Sequence, residues 1–303
     1  MRLVTRSDFD GLVSAALLKE LDVIDEIFFT HPKDLQDGKI PVNANDVLVN
    51  VPFVEGCGLW FDHHSSEDER LSLKGKFEGS SKPAPSAARV VYDYYDGPNK
   101  LSQFDELMEA VDKADAAQFT KEEILNPKGW VLLSFLCDPR TGLGYHRGDR
   151  ISNLELMTDL VAHLRTNSIS EILELPDVKD RVDRYFEQSK LHQELLQNHT
   201  KVDGPIAVTD LRGVVDIPPG NRHMIYAIYP ESNISIRLID GKGQEFVSLS
   251  VGYSILNRTA KVDVGSLMLK HGGGGHKAVG TCQVSYDDVD KVLAEIVDAI
   301  KAA

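Results

Sequence analysis

The first hundred residues alternate between short apolar runs and helical patterns, and the runs are apolar throughout instead of at every second position. Runs of this kind predict strands that are buried on both faces, as in a parallel sheet covered by helices. We predict strands at residues 3–5, 27–30, 47–51 and 59–61 and helices at 11–21 and 86–95. The sequence therefore indicates the α/β class, with a doubly wound, mostly parallel sheet.

The pattern changes along the rest of the chain. Residues 101–200 predict mostly helices, ending in a long amphipathic helix at 182–199. A Gly-Pro pair follows, and shorter alternating runs then predict strands at 206–208, 224–228, 234–239 and 246–251 and helices at 264–269 and 289–302. We expect two domains: residues 1–200, which include a helical connector, and residues 205–303, which form a smaller α+β domain.

The charge balance restricts the partners. The 303 residues include 33 lysines and arginines against 47 aspartates and glutamates, a formal net charge of −14, with no basic run. Proteins that follow long nucleic acids carry extended basic surfaces, so we expect a small phosphorylated substrate and no long polymer. No stretch approaches about 20 consecutive apolar residues, which predicts no membrane span. Three scattered cysteines without a disulfide pattern favour the cytoplasm.

Two polar clusters follow predicted strands. Asp8 and Asp10 come after the first strand, and Asp62, His63 and His64 follow the strand at 59–61. Because the carboxyl ends of parallel strands lie at one edge of a sheet, we expect the clusters to meet there. Carboxylates and neutral imidazoles are ligands for transition metals, which predicts a metal-dependent hydrolase. Helix capping by Asp8 is the simpler alternative, but it explains only one of the two aspartates.

A third feature, the glycine run, lies near the C-terminal end. It consists of Gly272, Gly273, Gly274 and Gly275, and His276 follows it. Successive glycines permit positive φ and let backbone N–H groups approach an anion, which predicts a phosphate-binding loop. A flexible linker is the alternative, but the alternating segment at 279–284 predicts a strand directly afterwards.

Together, Asp-x-Asp-Gly near the start, Asp-His-His further along and a C-terminal Gly-Gly-Gly-Gly-His resemble the DHH phosphoesterase superfamily with its DHHA1 domain. That superfamily includes oligoribonucleases, phosphatases of 3′-phosphoadenosine 5′-phosphate, cyclic-dinucleotide hydrolases and single-strand exonucleases. Many relatives of this length are described as exopolyphosphatase-related. The resemblance covers nearly the whole chain, and it indicates the superfamily better than the substrate.

The resemblance implies a metal centre at the sheet edge. The metal-binding positions of the superfamily correspond to Asp8, Asp10, His63 and Asp115, with Asp112 as the alternative to Asp115. The ion implied is Mn²⁺ or Mg²⁺.

The resemblance also implies roles in substrate binding and catalysis. His64 corresponds to the residue that faces the substrate phosphate, and Asp62 supports the site. Superfamily members bind substrate through the glycine run, and His276 matches that motif directly. We add Arg237 and Arg258 as substrate-binding residues that no motif anchors.

Two positions depart from the superfamily pattern. Val4 stands where many phosphatase-type relatives have a metal-binding histidine, and Asn50 stands where an aspartate normally bridges two metals. An amide is a weaker ligand for such cations than a carboxylate. We therefore expect one well-held ion and a second that is weak, substrate-assisted or absent. His31 is either a surrogate ligand or, more simply, an exposed residue at a strand end.

The implied function is metal-dependent hydrolysis of a small phosphoester, such as a dinucleotide, a short oligonucleotide or a nucleoside bisphosphate. Water activated by the metal attacks phosphorus while His64 neutralises the developing charge. Two alternatives stay open. Polyphosphate hydrolysis needs a basic track that the sequence does not offer, and a degenerate binding protein with little catalysis is favoured by Val4 and Asn50. The oligomeric state is also open, with a homodimer among the alternatives.

Overall fold

Five parallel strands form the first sheet of the computed structural model, which describes residues 1–64 and 77–303. The strands are β1 (Arg2–Thr5), β2 (Glu26–Phe29), β3 (Asp46–Val49), β4 (Leu59–Asp62) and β5 (Gly79–Ser81), in the order β2-β1-β3-β4-β5. Leu3 and Val4 lie on opposite faces of β1 and are both wholly buried, so both faces are covered. The predicted parallel α/β sheet is confirmed, and β5 adds an edge strand to the four predicted ones.

Helices dominate the chain from the end of this sheet to residue 199. In chain order the helices so far are α1 (Phe9–Glu20), α2 (Pro32–Gln36), α3 (Ala87–Tyr94), α4 (Gly97–Lys100), α5 (Asp105–Asp115), α6 (Lys121–Leu125), α7 (Gly129–Cys137), α8 (Asn153–Thr166), α9 (Ile169–Leu173) and α10 (Pro176–His199). Short 3₁₀ helices lie at Ser102–Phe104, Pro139–Thr141 and Leu143–Tyr145. Among the helices that the structure describes, none combines the length and the apolar character needed to cross a membrane.

A second, six-stranded sheet organises the C-terminal part. Its elements are β6 (Thr200–Asp203), β7 (Ile206–Asp210), α11 (Met224–Ile228), β8 (Ile234–Asp240), β9 (Val247–Tyr253), α12 (Val264–Leu269), β10 (Gly274–His276), β11 (Val279–Val284) and α13 (Val289–Lys301). The strand order is β10-β11-β9-β8-β7-β6, with β7 and β8 parallel and the other pairs antiparallel. Apolar side chains of β8 and β9 pack with those of α12 and α13 in one core. The mixed sheet agrees with the predicted α+β class.

Residues 224–228 form helix α11, and the predicted strand at this position is wrong. Met224, Ile225, Tyr226 and Ala227 are all buried, so the segment is apolar on every side. A continuous apolar run of this length has neither a 3.6-residue nor a 2-residue period that could distinguish the two structures. The hydroxyl of Tyr226 also lies 2.8 Å from Oγ of Ser235 on β8. Tertiary packing therefore selects the helix.

The chain divides into two compact units within helix α10. The first unit comprises Met1–Gln118 and Pro127–Arg184, and the second comprises Phe119–Asn126 and Tyr185–Ala303. The second half of α10 packs with C-terminal residues, because Asn221 Nδ2 donates to Tyr185 Oη at 2.8 Å and His192 Nδ1 lies 2.9 Å from the Pro218 carbonyl oxygen. The domain bounds 1–200 and 205–303 stay a prediction. They rest on the change in composition at the turn after α10, and composition does not reveal that the second half of α10 packs with C-terminal residues.

Candidate metal centre and active site

The order of the first sheet reverses at the neighbouring strands β1 and β3, a position where ligands of open α/β sheets commonly bind. The chain leaves β1 towards Asp8 and Asp10, leaves β3 at Asn50 and leaves β4 at His63. Because these strands are parallel, their carboxyl ends lie at the same edge. Asp10 and His63, one from each predicted cluster, lie together with Asp115 in a group of potential metal ligands.

Asp10 lies in the first turn of α1, and only 2 % of the residue is exposed. Its two carboxylate oxygens accept from the backbone N–H groups of Ala87 at 2.9 Å and Ala88 at 2.8 Å, at the start of α3. Burial raises the pKa of Asp10 well above its ordinary value, and the charges of Asp115 and Asp8 raise it further. A cation at this position would stabilise the ionised carboxylate.

His63 presents one ring nitrogen to this group. Its Nδ1 lies 3.1 Å from the carbonyl oxygen of Ala84. Since a carbonyl only accepts, Nδ1 carries the proton and Nε2 of the neutral ring carries the lone pair. Nε2 is buried without a hydrogen-bond partner, 3.9 Å from Asp10 Oδ2 and 3.2 Å from Asp115 Oδ2. A carbonyl that fixes the imidazole tautomer in this way is typical of metal-binding histidines.

Of the two aspartates that the sequence leaves open, the structure brings Asp115 to the group. Asp115 is the last residue of α5, and burial is the main reason that its pKa is raised. Asp112 lies one turn earlier and is engaged elsewhere: its Oδ1 accepts from Ser86 Oγ at 2.7 Å and its Oδ2 from Arg89 Nε at 2.8 Å. Arg89 therefore neutralises Asp112, whereas the Asp115 carboxylate lies beside His63.

His64 is oriented by Asp62. The Asp62 carboxylate, which is buried at the end of β4, accepts from Nδ1 of His64 at 2.8 Å. This hydrogen bond is the main reason that the pKa of His64 is raised above its ordinary value. The side chain of His64 is 37 % exposed, so its other nitrogen is available to a ligand. The ring of His63 lies beside it, with 4.3 Å between the ring centroids.

Asp8 has donors on both of its carboxylate oxygens. Oδ1 accepts from the backbone N–H of Gly11 at 3.1 Å, which caps α1, and from Nδ2 of Asn50 at 3.2 Å. Oδ2 forms an ion pair with Nε of Arg6 at 2.9 Å. Asp8 is thus the helix cap that the sequence offers as the simpler alternative, and its charge also acts on Asp10.

Two backbone positions make this close packing possible. A Cβ on Gly11 would lie 2.0 Å from the carbonyl oxygen of Arg6, so only glycine lets α1 begin so close to the end of β1. Asn50 has a φ of 57°, in the left-handed region that Asn and Asp adopt more readily than other side chains. Its Oδ1 is buried without a hydrogen-bond partner, while its Nδ2 faces Asp8.

Sequence reasoning missed two arginines that interact electrostatically with these carboxylates. Arg6 lies two residues before Asp8, and its charge acts on Asp115. Arg140, in the 3₁₀ helix after α7, pairs with Asp138 through Nε at 2.7 Å, and its charge also acts on Asp115. The position of Arg6 close to the motif was a usable signal. Arg140 is remote along the chain, and no motif indicates it.

The remaining first-unit positions have structural explanations. Val4 is wholly buried within β1. His31 is exposed and caps α2, because its Nδ1 accepts from the backbone N–H of Lys33 at 3.2 Å. Capping accounts for His31 without a role as a surrogate ligand.

The glycine run lies in the second unit and is only partly a loop. Gly274 and Gly275 belong to β10, which pairs with β11 in an antiparallel hairpin. A Cβ on Gly275 would lie 2.2 Å from the carbonyl oxygen of Val279, so this glycine permits close strand pairing. Gly272 has a φ of 75° in the preceding turn, and His276 is exposed. The glycine run is therefore a turn followed by an edge strand, and its role in binding phosphate stays a prediction.

The two arginines that no motif anchors also lie in the second unit. Arg237 is partly buried in the middle of β8. Arg258 is exposed after β9, and its Nε donates to the carbonyl oxygen of Ile255 at 3.0 Å. Their role in binding substrate stays a prediction, as does that of the glycine run.

Comparison with solved structures identifies a relative that matches the full length of the chain. The chain is 46 % identical to the pGpG-specific phosphodiesterase PggH from Vibrio cholerae, with a TM-score of 0.87 and with 99 % of each chain covered. The likeness therefore extends over both units.

Two more distant structures share the fold alone. An exopolyphosphatase-related protein from Bacteroides fragilis is 13 % identical, with a TM-score of 0.52 over 98 % of this chain and 91 % of that one. RecJ from Thermus thermophilus, solved with Mg²⁺, is 15 % identical, with a TM-score of 0.51 over 99 % of this chain and 50 % of that one. No family model matches the sequence, and no curated protein matches it.

Proposed function

Because this chain belongs to the DHH phosphoesterase superfamily and is a phosphoester hydrolase for small substrates, we propose that it cleaves a linear, 5′-phosphorylated dinucleotide of the pGpG type. The name of the 46 % identical relative supplies the substrate class. We further propose that hydrolysis requires a divalent cation. Mn²⁺ fits the site better than Mg²⁺, because an imidazole nitrogen is a poor ligand for Mg²⁺.

The main support for a metal-dependent reaction is Nε2 of His63, which has no hydrogen-bond partner. It is buried beside two carboxylates, Asp10 and Asp115, whose pKa values burial raises. A buried polar atom without a partner costs free energy, and so do two neighbouring negative charges. A divalent cation would compensate both at once, since the three ligand atoms lie within 4.8 Å of one another. We propose Asp10, His63 and Asp115 as its protein ligands.

The reaction is hydrolysis of one ester bond. Phosphorus gains a hydroxyl oxygen from water, and the 3′ oxygen of the neighbouring nucleoside leaves with a proton. A dinucleotide of the pGpG type therefore gives two nucleoside 5′-monophosphates. When bound, the cation supplies Lewis-acid stabilisation of the phosphoryl group and lowers the pKa of water.

His64 is the side chain that we assign to the phosphoryl oxygens. Its Nδ1 donates to Asp62, which fixes the ring and raises the pKa of His64. A donated N–H from a charged ring stabilises negative charge that develops on oxygen in the transition state. In this proposal Asp62 is a positioning residue, since it acts through His64.

The substrate is proposed to be short because of where the basic residues lie. Arg6 and Arg140 both interact electrostatically with Asp115, and a dinucleotide with a 5′-phosphate has two phosphate groups to pair with them. The glycine run, His276, Arg237 and Arg258 are proposed to bind the part of the substrate that is remote from the reaction. Polyphosphate fits less well, because the formal net charge is −14 and no basic run exists.

The direct test is a substrate panel measured with Mn²⁺ and again with Mg²⁺. The panel contains pGpG, pApA, GpG without a 5′-phosphate, 3′-phosphoadenosine 5′-phosphate and polyphosphate. We expect release of nucleoside 5′-monophosphates from the 5′-phosphorylated dinucleotides and loss of turnover with a chelator. Faster hydrolysis of polyphosphate would contradict the proposal. Tight binding of pGpG without any turnover would instead identify a degenerate binding protein.

Arg140→Ala is expected to raise KM for a 5′-phosphorylated dinucleotide by about 10-fold, with a smaller change in kcat. The side chain is 52 % exposed and pairs with Asp138, so it can turn to an incoming phosphate. A hydrogen bond to a charged group contributes about 1.5–3 kcal/mol, and about 1.4 kcal/mol is tenfold in affinity. Arg150→Ala is the control, because Arg150 is exposed and pairs with Asp177. Equal KM values for Arg140→Ala and the unmodified protein would exclude this role.

A further inference from the structure

Asp8 differs from the other two carboxylates of the site because it already has a positively charged partner. Asp10 and Asp115 lie beside the lone pair of His63, whereas Asp8 Oδ2 pairs with Arg6 Nε at 2.9 Å. The other oxygen of Asp8 accepts one backbone and one amide hydrogen bond. Both oxygens therefore already have donors, and the nearest partner of opposite charge is a guanidinium.

The backbone holds Arg6 in this position. Arg6 directly follows β1, and its carbonyl oxygen contacts Gly11 so closely that a Cβ would lie 2.0 Å away. Its side chain is 33 % exposed, so solvent screens the ion pair only in part. A guanidinium carries five N–H donors, of which the pair with Asp8 uses Nε. The remaining donors suit phosphate oxygens.

The charges of the site balance with a single divalent ion. Asp8 and Arg6 neutralise each other, which leaves the two negative charges of Asp10 and Asp115 for one ion. Asn50 adds no charge, and its Nδ2 donates to Asp8 at 3.2 Å. An aspartate at this position would add a further negative charge beside Asp8, and a buried charge requires compensation.

We propose that the Arg6 guanidinium is a built-in second cation beside a single divalent ion, and that neutral Asn50 keeps the site at one ion. The inference rests on the proposed phosphoesterase function and deepens it. Arg6 binds an oxygen of the scissile phosphate through its remaining N–H donors. Asp8 positions Arg6 and is not a ligand of a second ion.

The number of metal ions bound per chain tests the proposal of a single divalent ion without any substrate. We expect equilibrium dialysis against Mn²⁺ to give one tightly held ion per chain, with the electron paramagnetic resonance spectrum of isolated Mn²⁺. The double variant Arg6→Gln, Asn50→Asp should take up a second ion and show a spin-coupled pair. Aspartate suits position 50, because it tolerates the φ of 57° about as well as asparagine. Two equally tight ions in the unmodified protein would overturn the inference, and this holds even if the variant fails to fold.

Kinetics supply the second readout. Arg6→Gln is expected to lower kcat/KM for pGpG by about 10²-fold, and Arg6→Lys should restore part of that loss. Arg165→Gln is the matched control, since Arg165 is also 33 % exposed and pairs through Nε with one carboxylate oxygen, that of Glu20. Unchanged kcat/KM in Arg6→Gln would overturn the role of Arg6. Two tight ions with normal pGpG hydrolysis would refute this inference and leave the proposed function standing.

Discussion

His63→Ala is expected to lower kcat for the preferred dinucleotide by about 10³-fold and to abolish tight binding of Mn²⁺. The substitution removes the Nε2 lone pair that lies between Asp10 and Asp115, so the two carboxylates lose the nitrogen ligand that helps them to hold a cation. A catalytic metal stabilises the transition state by several kcal/mol, and each 1.36 kcal/mol is tenfold in rate, which gives the expected size. Steady-state kinetics and metal analysis on the same samples measure both effects.

The control for this prediction is His163→Ala. His163 also lies in the first unit, and its Nδ1 makes one hydrogen bond, to Asn167 Oδ1 at 3.1 Å, on helix α8. This variant should retain both turnover and metal. If His63→Ala retained one tight Mn²⁺ and full activity, the metal centre would have to lie elsewhere in the chain. A loss of activity with unchanged metal content would assign His63 a role in binding substrate instead.

The sheet and most of the candidate metal centre could be predicted because their signals are local. A strand buried on both faces is apolar at every position, as in the run of Val47, Leu48 and Val49, and the polar residues that follow such strands must emerge at one edge. The structure agrees with that reading for Asp10 and His63, which the chain separates widely but the parallel strands bring together.

The residues that sequence reasoning missed depend on tertiary contacts. Arg140 interacts electrostatically with Asp115 from the 3₁₀ helix after α7, and no periodicity indicates where that helix packs. The choice between Asp112 and Asp115 likewise needed the position of Arg89, which neutralises Asp112 from another helix. The hydrophobic pattern also predicted a strand where helix α11 lies, because a short, wholly apolar segment has the same pattern in a buried strand and in a buried helix.

The glycine run shows how one residue type can serve two purposes. Four glycines predict a backbone that wraps an anion, yet Gly275 is required for the close approach of β10 to β11. Close strand pairing and anion binding both need a missing Cβ, so the sequence could not separate them. Only the register of the hairpin, in which Gly275 pairs with Gly280, identifies the structural demand.

Asp149→Asn is expected to destabilise the first unit by about 3 kcal/mol. Asp149 pairs with Arg181 through Nη2 at 3.1 Å and with Arg184, and Arg181 is only 1 % exposed. The substitution leaves the Arg181 charge buried without its carboxylate, and breaking a buried pair from one side costs about 3–5 kcal/mol. Urea unfolding followed by circular dichroism measures the loss. Asp34→Asn is the control, since its pair with Lys39 is largely exposed and should contribute less than about 1 kcal/mol.

The pH dependence of this loss gives a further check on its cause. Burial alone would raise the pKa of Asp149, but the hydrogen bond from Arg184 and the charge of Arg181 outweigh it and hold the pKa below its ordinary value. A depressed folded-state pKa means that the stabilisation is fully present above about pH 4, the unfolded value, and is lost as the pH falls through the folded value. The stability difference between Asp149→Asn and the unmodified protein should therefore be constant near neutral pH and shrink in acid. A difference that persists unchanged at the lowest pH would assign the loss to packing and not to the ion pair.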